Sequence, residues 1–302
     1  MMNSIKITLY IAAVVLCQAC KQKPAETLKQ PAKVSVATFA ADESCQPIVD
    51  ELKYVYSQIY TNGKINIIYK SENEILRLLL NDKVRLALLS RELNVQELKV
   101  LSNKKLVPEM NRFAIDAITL IVNKASNDTL ITVGEIKKML NGKTKTDKNI
   151  VFDNANSSLA GYLKGFSGNQ DLKGENIFAL KNNKEVIKYV STHTDAIGIT
   201  GFSWLNDPEE DYKNAVSDVK ILSVKDENSK TGQYVKPSQT TLALKQYPLT
   251  RSLYIINCTG KQDLGTNFAY FILNENGQRV ILRSGILPDE IPEREINIKH
   301  TF

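Results

Sequence analysis

Three short stretches of the chain gather residue types that suit a small anion. "ADESCQP" (41–47) sets Glu43 and Ser44 just ahead of a helical pattern, with Pro47 in its first turn. "LLSREL" (88–93) puts Ser90 and Arg91 at the end of an apolar run. "FDNANSSL" (152–159) puts Asp153, Asn156, Ser157 and Ser158 between an apolar run and a helix start. Helix N-termini carry unpaired N–H donors and a partial positive charge. Ser hydroxyls and the Asn amide add neutral donors, and Arg adds fixed charge on a planar donor fork. Brought together, these groups suit a tetrahedral oxyanion. Asp153 narrows the choice. An ionised carboxylate only accepts hydrogen bonds, so it repels sulfate but can take a hydrogen bond from a protonated anion such as monohydrogen phosphate. A buried acceptor left unpaired costs about 1–3 kcal/mol, and more when charged. Each loop taken alone is explained by helix capping. Only the joint placement raises the anion reading, and Glu43 is its weakest member, expected to face solvent.

Other chemistries find little in the sequence. There are two His, at 193 and 300, and neither stands where a hydrolytic triad would need it. No His/Cys cluster has metal-ligand spacing, and there is no Walker loop and no Gly-x-Gly-x-x-Gly. We therefore expect no enzyme activity, no metal and no cofactor. The net charge of +6 is spread over scattered Lys, without the concentrated stripe of a nucleic-acid binder. Trp204 in "GFSWL" reads as packing. Cys45 and Cys258 read as two separate small buried residues, since two Cys do not make a disulfide framework in so large a chain.

The elements that must position the three loops are legible as an alternation. The chain has 302 residues, 43% of them hydrophobic, enough for one large core or two medium ones. "VSVATF", "KINIIYK" and "VRLALLS" read as strands, separated by the amphipathic "IVDELKYVYSQIY" and by "SENEILRLLL", which opens on a Ser71/Glu74 capping box. "NVQELKVLS" is a short helix, and "AIDAITLIVNK" (114–124) a strand buried on both faces. A second series follows. Thr132 and Glu135 form another capping box; "NIVF", "NIFAL" and "AIGITGF" are strands; "SSLAGYLKGF" and "KEVIKYVSTH" are helices. "VKILSV", "TTLAL" and "SLYIINC" are expected as further strands, and "FAYFILNENGQRVILRSG" as two helices around Asn276-Gly277. The class is α/β with largely parallel strands. In such sheets ligands bind beyond the carboxyl ends of the strands, where all three loops fall.

The N-terminus has a different character. "MMNSIKITLYIAAVVLCQAC" has Lys6 and then a short apolar core, the proportions of a secretory signal. It ends on Gln18-Ala19-Cys20, which looks like a bacterial lipobox and makes Cys20 the expected lipidation site. Residues 1–20 are then the lipoprotein signal, and the polar, Pro-containing 21–33 a flexible tether. The expected location is the cell envelope, lipid-anchored, in the periplasm or at the membrane surface.

With these loops read, the chain resembles the phosphate-binding proteins of bacterial phosphate ABC transporters, in particular their divergent lipoprotein branch. The resemblance spans Val34 to Ile298 and rests on "DESCQPIVDEL", "LALLSREL", "AIDAITLIVNK", "VFDNANSSLAGYL", "AIGITGFSWL", "YVKPSQTTLALKQYPLTRSLYII" and "NFAYFILNENGQRVILRSGILP", in the family's order. It implies a type II periplasmic-binding fold, with two α/β lobes joined by two crossing segments. Residues 34–115 plus 232–302 would form lobe 1 and 116–231 lobe 2, with "AIDAITLIVNK" and "YVKPSQTTLAL" as crossings. It also implies capture of inorganic phosphate in the interlobe cleft by a monomer that delivers it to a membrane ABC permease. Alternatives are another oxyanion or small anionic solute, or a sensory or interaction lipoprotein that does not transport. Carried over by position, Ser44 matches the helix-start Ser of the first loop. The family's third loop runs Arg-x-Asp-Gly-Ser-Gly-Thr; here Val151 replaces the Arg, Asp153 keeps the Asp, and Asn156, Ser157 and Ser158 stand for the turn. Arg91 is expected to supply the missing Arg from the other lobe.

Overall fold

The computed structural model describes residues 35–61, 63–142, 147–229 and 232–292. The signal, the lipidation site and the tether lie outside the described residues, as does His300. Among the described residues no helix is long and apolar enough to cross a membrane.

The first series runs β1 (Ser35–Asp42), α1 (Gln46–Ile59), β2 (Gly63–Lys70), α2 (Glu72–Leu80), β3 (Leu86–Leu89), α3 (Val95–Asn103) and β4 (Glu109–Asn123). The second runs β5 (Leu130–Thr132), α4 (Val133–Leu140), β6 (Asn149–Phe152), α5 (Ser158–Ser167), β7 (Ile177–Ala179), α6 (Asn183–Thr192), β8 (Ala196–Gly201), α7 (Ser203–Asn206), α8 (Lys213–Ser217), β9 (Val219–Ile221) and β10 (Ser223–Lys225). The chain then returns through α9 (Gln239–Ala243), β11 (Thr250–Asn257), α10 (Leu264–Leu273), α11 (Glu275–Arg283) and β12 (Leu287–Pro288). Helix starts follow local chemistry. The capping boxes at Ser71/Glu74 and Thr132/Glu135 are both formed, and Asn94/Glu97 makes a further one before α3.

The main sheet has the order β2-β1-β3-β11-β4-β8-β6-β7. β1 is parallel to β2 and β3, and β6 is parallel to β7 and β8. β4 and β11 run antiparallel to each other and to these neighbours. β4 serves both halves: its stretch up to Ala117 pairs with β11, and Ile118 to Val122 pair with β8. The register decides where the loops meet. Gly201, at the carboxyl end of β8, lies opposite Ile118, while Arg251 and Thr250 of β11 lie opposite Asp116 and Ala117. The carboxyl ends of the parallel strands in both halves therefore converge on the middle of β4. Each half has its own core, one around Leu52, Phe113 and Phe268 and the other around Leu120, Leu159 and Ile199.

Three expected elements differ. "TTLAL" lies in helix α9 rather than a strand, because the Ser238 hydroxyl caps it by accepting from Thr241 N at 3.1 Å, and Leu242 turns into the second core. "VKILSV" divides at Leu222: β9 pairs with β4, while β10 joins β5 in a separate two-stranded sheet. The last two helices break at Asn274, whose side chain accepts from Asn276 N and Gly277 N, so that Gly277 sits inside α11. A Cβ at Gly277 would lie 2.2 Å from the Phe271 carbonyl oxygen and 2.6 Å from Ile272 Cα. Both are backbone atoms that cannot step aside. Gly277→Ala is expected to destabilise the fold by about 1–3 kcal/mol, read from the urea unfolding midpoint.

Candidate functional site

The converging strand ends build one buried polar cluster. Asp42 is the last residue of β1 and fully buried. Its Oδ1 accepts from Ser44 N at 2.9 Å and from Ser44 Oγ at 2.7 Å, shaping the single turn that leads into α1. Across from it, Ser158 is the first residue of α5, and its hydroxyl shares a 3.0 Å hydrogen bond with that of Ser44. Arg251 Nη1 donates to Ser44 Oγ at 2.9 Å and to Ser158 Oγ at 3.4 Å, while Nη2 and Nε donate to Asp116 Oδ2 at 2.8 and 3.2 Å. The Asp116–Arg251 pair is buried, with side chains 1% and 3% exposed. Asp116 Oδ1 accepts from Ala117 N, so the pair is tied to the backbone where β4 passes between the halves. Gly201 makes room for it: a Cβ there would lie 2.9 Å from both Arg251 Nη2 and Asp116 Oδ2.

Trp204 links the halves from the other side. Its indole N–H donates to the Ser44 carbonyl at 2.9 Å, so it packs as expected but also clamps the Ser44 turn. Beneath that turn lies Cys45, fully buried, with its thiol pushed up to about 12 by burial and by Asp42. Cys45 and Cys258 are both free thiols and lie in different core clusters.

Asp153 follows β6 and is buried. Ser157 Oγ donates to its Oδ1 at 2.5 Å and Asn183 Nδ2 to its Oδ2 at 3.1 Å. Ser157 also caps α5 by accepting from Ala160 N. Burial pushes the Asp153 carboxyl up to about 7; the Ser157 hydroxyl opposes the shift, Asp42 adds to it, and Arg251 and Asn183 hold it back. Asp42 and Arg251 are thus near enough for their charges to be felt at Asp153.

Ser44, Asp153, Ser157 and Ser158 are accordingly brought together. Asn156 is exposed, in a turn where its N–H donates to Asn154 Oδ1. Glu43 is half-buried at the rim, its carboxyl raised by burial, Asp42 and Glu74 and lowered by Lys181 of the opposite half. Ser90 and Arg91 belong to a different group. Arg91 donates to Glu72 at 2.7 Å and, with both Nη atoms, to Glu97 at 2.9 Å, and Ser90 Oγ donates to Glu72 at 3.4 Å. Arg91 therefore has its donor fork engaged by two glutamates and shares no hydrogen bond with the Ser44 cluster, where Arg251 supplies the guanidinium. Asp42, Asp116, Asn183, Thr200 and Arg251 were not among the residues read as candidates. A signal existed for two of them: Asp116 and Arg251 are single charges inside apolar strand runs, and a charge in such a place needs a partner.

The family described as "PBP superfamily domain" matches residues 26–276. The chain belongs to this superfamily. Its mixed α/β fold, with a sheet running through two halves, is the periplasmic-binding-protein fold. The phosphate-binding protein PstS of Borreliella burgdorferi is 25% identical over 307 aligned positions, covering 95% of this chain and 99% of that protein. A Clostridium perfringens structure described as a phosphate ABC transporter substrate-binding protein with bound phosphate superposes with a TM-score of 0.70 at 17% identity, covering 85% of this chain and 100% of that one. An ABC-type phosphate transport receptor from Vibrio cholerae gives a TM-score of 0.62 at 18% identity, with 83% and 99% covered. At such identities the structural likenesses speak for the fold.

The raised Asp153 carboxyl has a measurable consequence. Unfolded, it ionises at about 3.9; folded, it keeps its proton up to about 7. The folded state binds the extra proton between these values, so this stabilising contribution is complete below the lower one and lost as pH rises through the upper. Urea unfolding from pH 4 to pH 8 is expected to show falling stability over that window, and Asp153→Asn to flatten the slope.

Proposed function

We propose that the protein captures inorganic phosphate between the two halves of its sheet and delivers it to the permease of an ABC transporter. The observation that carries this reading is Asp42 Oδ2, a buried carboxylate oxygen with no hydrogen-bond partner among the described residues. It stands beside Ser44, whose hydroxyl meets Ser158 and Arg251. Leaving such an oxygen unpaired is costly, and a ligand that brings its own proton offsets that cost. Monohydrogen phosphate has both the proton for Asp42 and the acceptor oxygens for Arg251, the serine hydroxyls and the N-terminus of α5. Sulfate at neutral pH has only the acceptors.

In this reading Arg251, Ser44 and Ser158 hold the anion's oxygens, Ser157 orients Asp153, and Asp42 Oδ2 accepts a hydrogen bond from the anion's hydroxyl. The halves act as lobes whose closure buries the ligand, a hinge motion about the middle of β4 and the return segment at Leu249–Arg251. The PstS relative, matched along nearly its whole length, supports phosphate and the transporter context. The signal pattern ending at Cys20 supports lipid anchoring in the cell envelope. The protein binds its ligand without turning it over, and phosphatase activity that survives purification would overturn this assignment.

Calorimetry with phosphate, arsenate and sulfate tests the reading. Phosphate and arsenate are expected to bind and sulfate to be excluded; a preference for sulfate would sink it. Asp42→Asn keeps the Oδ1 acceptor for the Ser44 turn but replaces the free acceptor with a donor. It should weaken phosphate about 10- to 100-fold, the range for a hydrogen bond to a charged group. Fluorescence of Trp204, the only Trp in the sequence, gives an independent readout of closure through its bond to the Ser44 turn.

A further inference from the structure

A second cavity joins the two halves, and no residue of the Ser44 cluster lines it. It holds about 500 Å³ and is walled by α1 from one half, by Ser203 of α7 and the segment after α7 from the other, and by Ser284 at the end of α11. Asp50 and Glu51 of α1 and Asp207 and Glu209 beyond α7 line it, with no Lys or Arg among the lining residues, although the chain as a whole carries a net charge of +6. Asp50 is engaged, accepting from the Tyr69 hydroxyl at 2.6 Å and from Gln46 Nε2 at 3.2 Å, and Glu209 pairs with Lys184 at 3.0 Å. Glu51 and Asp207, one from each half, have neither a hydrogen bond nor an ion pair among the described residues. The Glu51 carboxyl is raised by burial and by Asp207 and lowered by Arg283 of α11, so the two carboxylates feel each other across the join. Ser203 is only 5% exposed, and its hydroxyl has no hydrogen-bond partner among the described residues.

We propose that this cavity binds an alkylguanidinium cation, its planar fork held between Glu51 and Asp207 with Ser203 as a third acceptor, and that its occupancy draws the halves together. Only the effect on closure rests on the phosphate reading above.

Two unpaired carboxylates and a buried free hydroxyl call for an occupant with positive charge and several N–H donors. A metal ion does not fit: it needs several ligand atoms converging on one point, and among the described residues no three His, Cys, Asp or Glu side chains could hold one. An ammonium is a compact, strongly hydrated point charge, whereas a guanidinium spreads its donors in a plane, sheds water more easily and stacks on aromatic faces. Such faces line the cavity at Tyr54 and Tyr212. Lys184 already lies over the Tyr212 ring at 5.3 Å, so the exposed Tyr54 is the free one. Glu51 and Asp207 repel each other across the join. A cation between them turns that repulsion into a bridge, so it favours the closed arrangement and, by linkage, phosphate.

The test titrates the full chain with butylguanidinium, followed by calorimetry and by fluorescence of Trp204, next to Ser203. N-butylurea is the uncharged counterpart. Butylguanidinium is expected to bind with a Kd of about 1 mM or below, the scale of a few partly exposed charge-assisted hydrogen bonds, and butylurea to show no binding. Glu51→Gln and Asp207→Asn should each weaken butylguanidinium about tenfold and Ser203→Ala about threefold. Glu210→Gln removes a neighbouring carboxylate that does not line the cavity, and should leave binding as it is. Absence of saturation, equal binding of butylurea, or an equal loss in Glu210→Gln overturns the site. Comparison of L-arginine with a capped Ala-Arg-Ala peptide then identifies the source of the group. Tighter binding of free arginine marks a small-molecule ligand, and peptide binding that is as good or better marks a side chain of a partner protein. Phosphate affinity should rise about three- to fivefold with butylguanidinium at saturation, and an unchanged affinity overturns the coupling to closure. If no phosphate binds at all, the phosphate reading falls, while the butylguanidinium titration still decides the site.

Discussion

The buried ion pair between Asp116 and Arg251 is the constraint on which the rest of the structure depends. Removing two charges from water is expensive, and a buried pair seldom adds net stability. Breaking one is another matter: loss of either partner leaves an uncompensated charge, at about 3–5 kcal/mol. The pair therefore specifies more than it stabilises. It locks β4 against β11 in one register, at the point where β4 leaves one half of the sheet for the other. That register brings the carboxyl ends of β1 and β8 together over the same few residues. Gly201 is part of the arrangement, since any side chain there would press on the pair.

From this anchor the polarity of the site follows. One guanidinium lies among three carboxylates, Asp42, Asp116 and Asp153. One of these is neutralised in the pair, one has a free oxygen, and one is held near neutrality by burial. An anion entering such a place gains little from net charge. It gains from oriented donors and from matching the free acceptor with a proton of its own. Selection by proton count needs this kind of environment, because in a strongly cationic pocket every oxyanion would be welcome.

The fold was largely readable from the sequence because its signals are local and redundant. The capping boxes at Ser71 and Thr132 and the apolar periodicity of α1 act within a turn or two of the chain, so they survive without knowledge of the partner elements. "TTLAL" misled for the opposite reason: paired Thr favour a strand, yet the Ser238 cap and the burial of Leu242 decide the conformation. The candidate cluster was half readable. Ser44, Asp153 and Ser158 stand at strand-to-helix junctions, where position alone suggests a role. Arg251 and Asp116 lie 135 residues apart and meet only through the β4–β11 register, which no local pattern encodes. Arg91 shows the reverse hazard. It stands at a suitable strand end, but Glu72 and Glu97, each placed for its own helix start, engage its whole donor fork.

Cys45 gives the site a property of another kind. It is bonded in sequence to Ser44, and its sulfur lies 3.8 Å from that hydroxyl. Oxidative damage and thiol exchange both begin from the thiolate, and with the thiol pushed up to about 12 that species is vanishingly scarce at neutral pH. A sulfur next to the Ser44 turn is thus chemically silent, and the turn keeps its shape where peroxides and disulfide oxidants would claim a more ordinary cysteine.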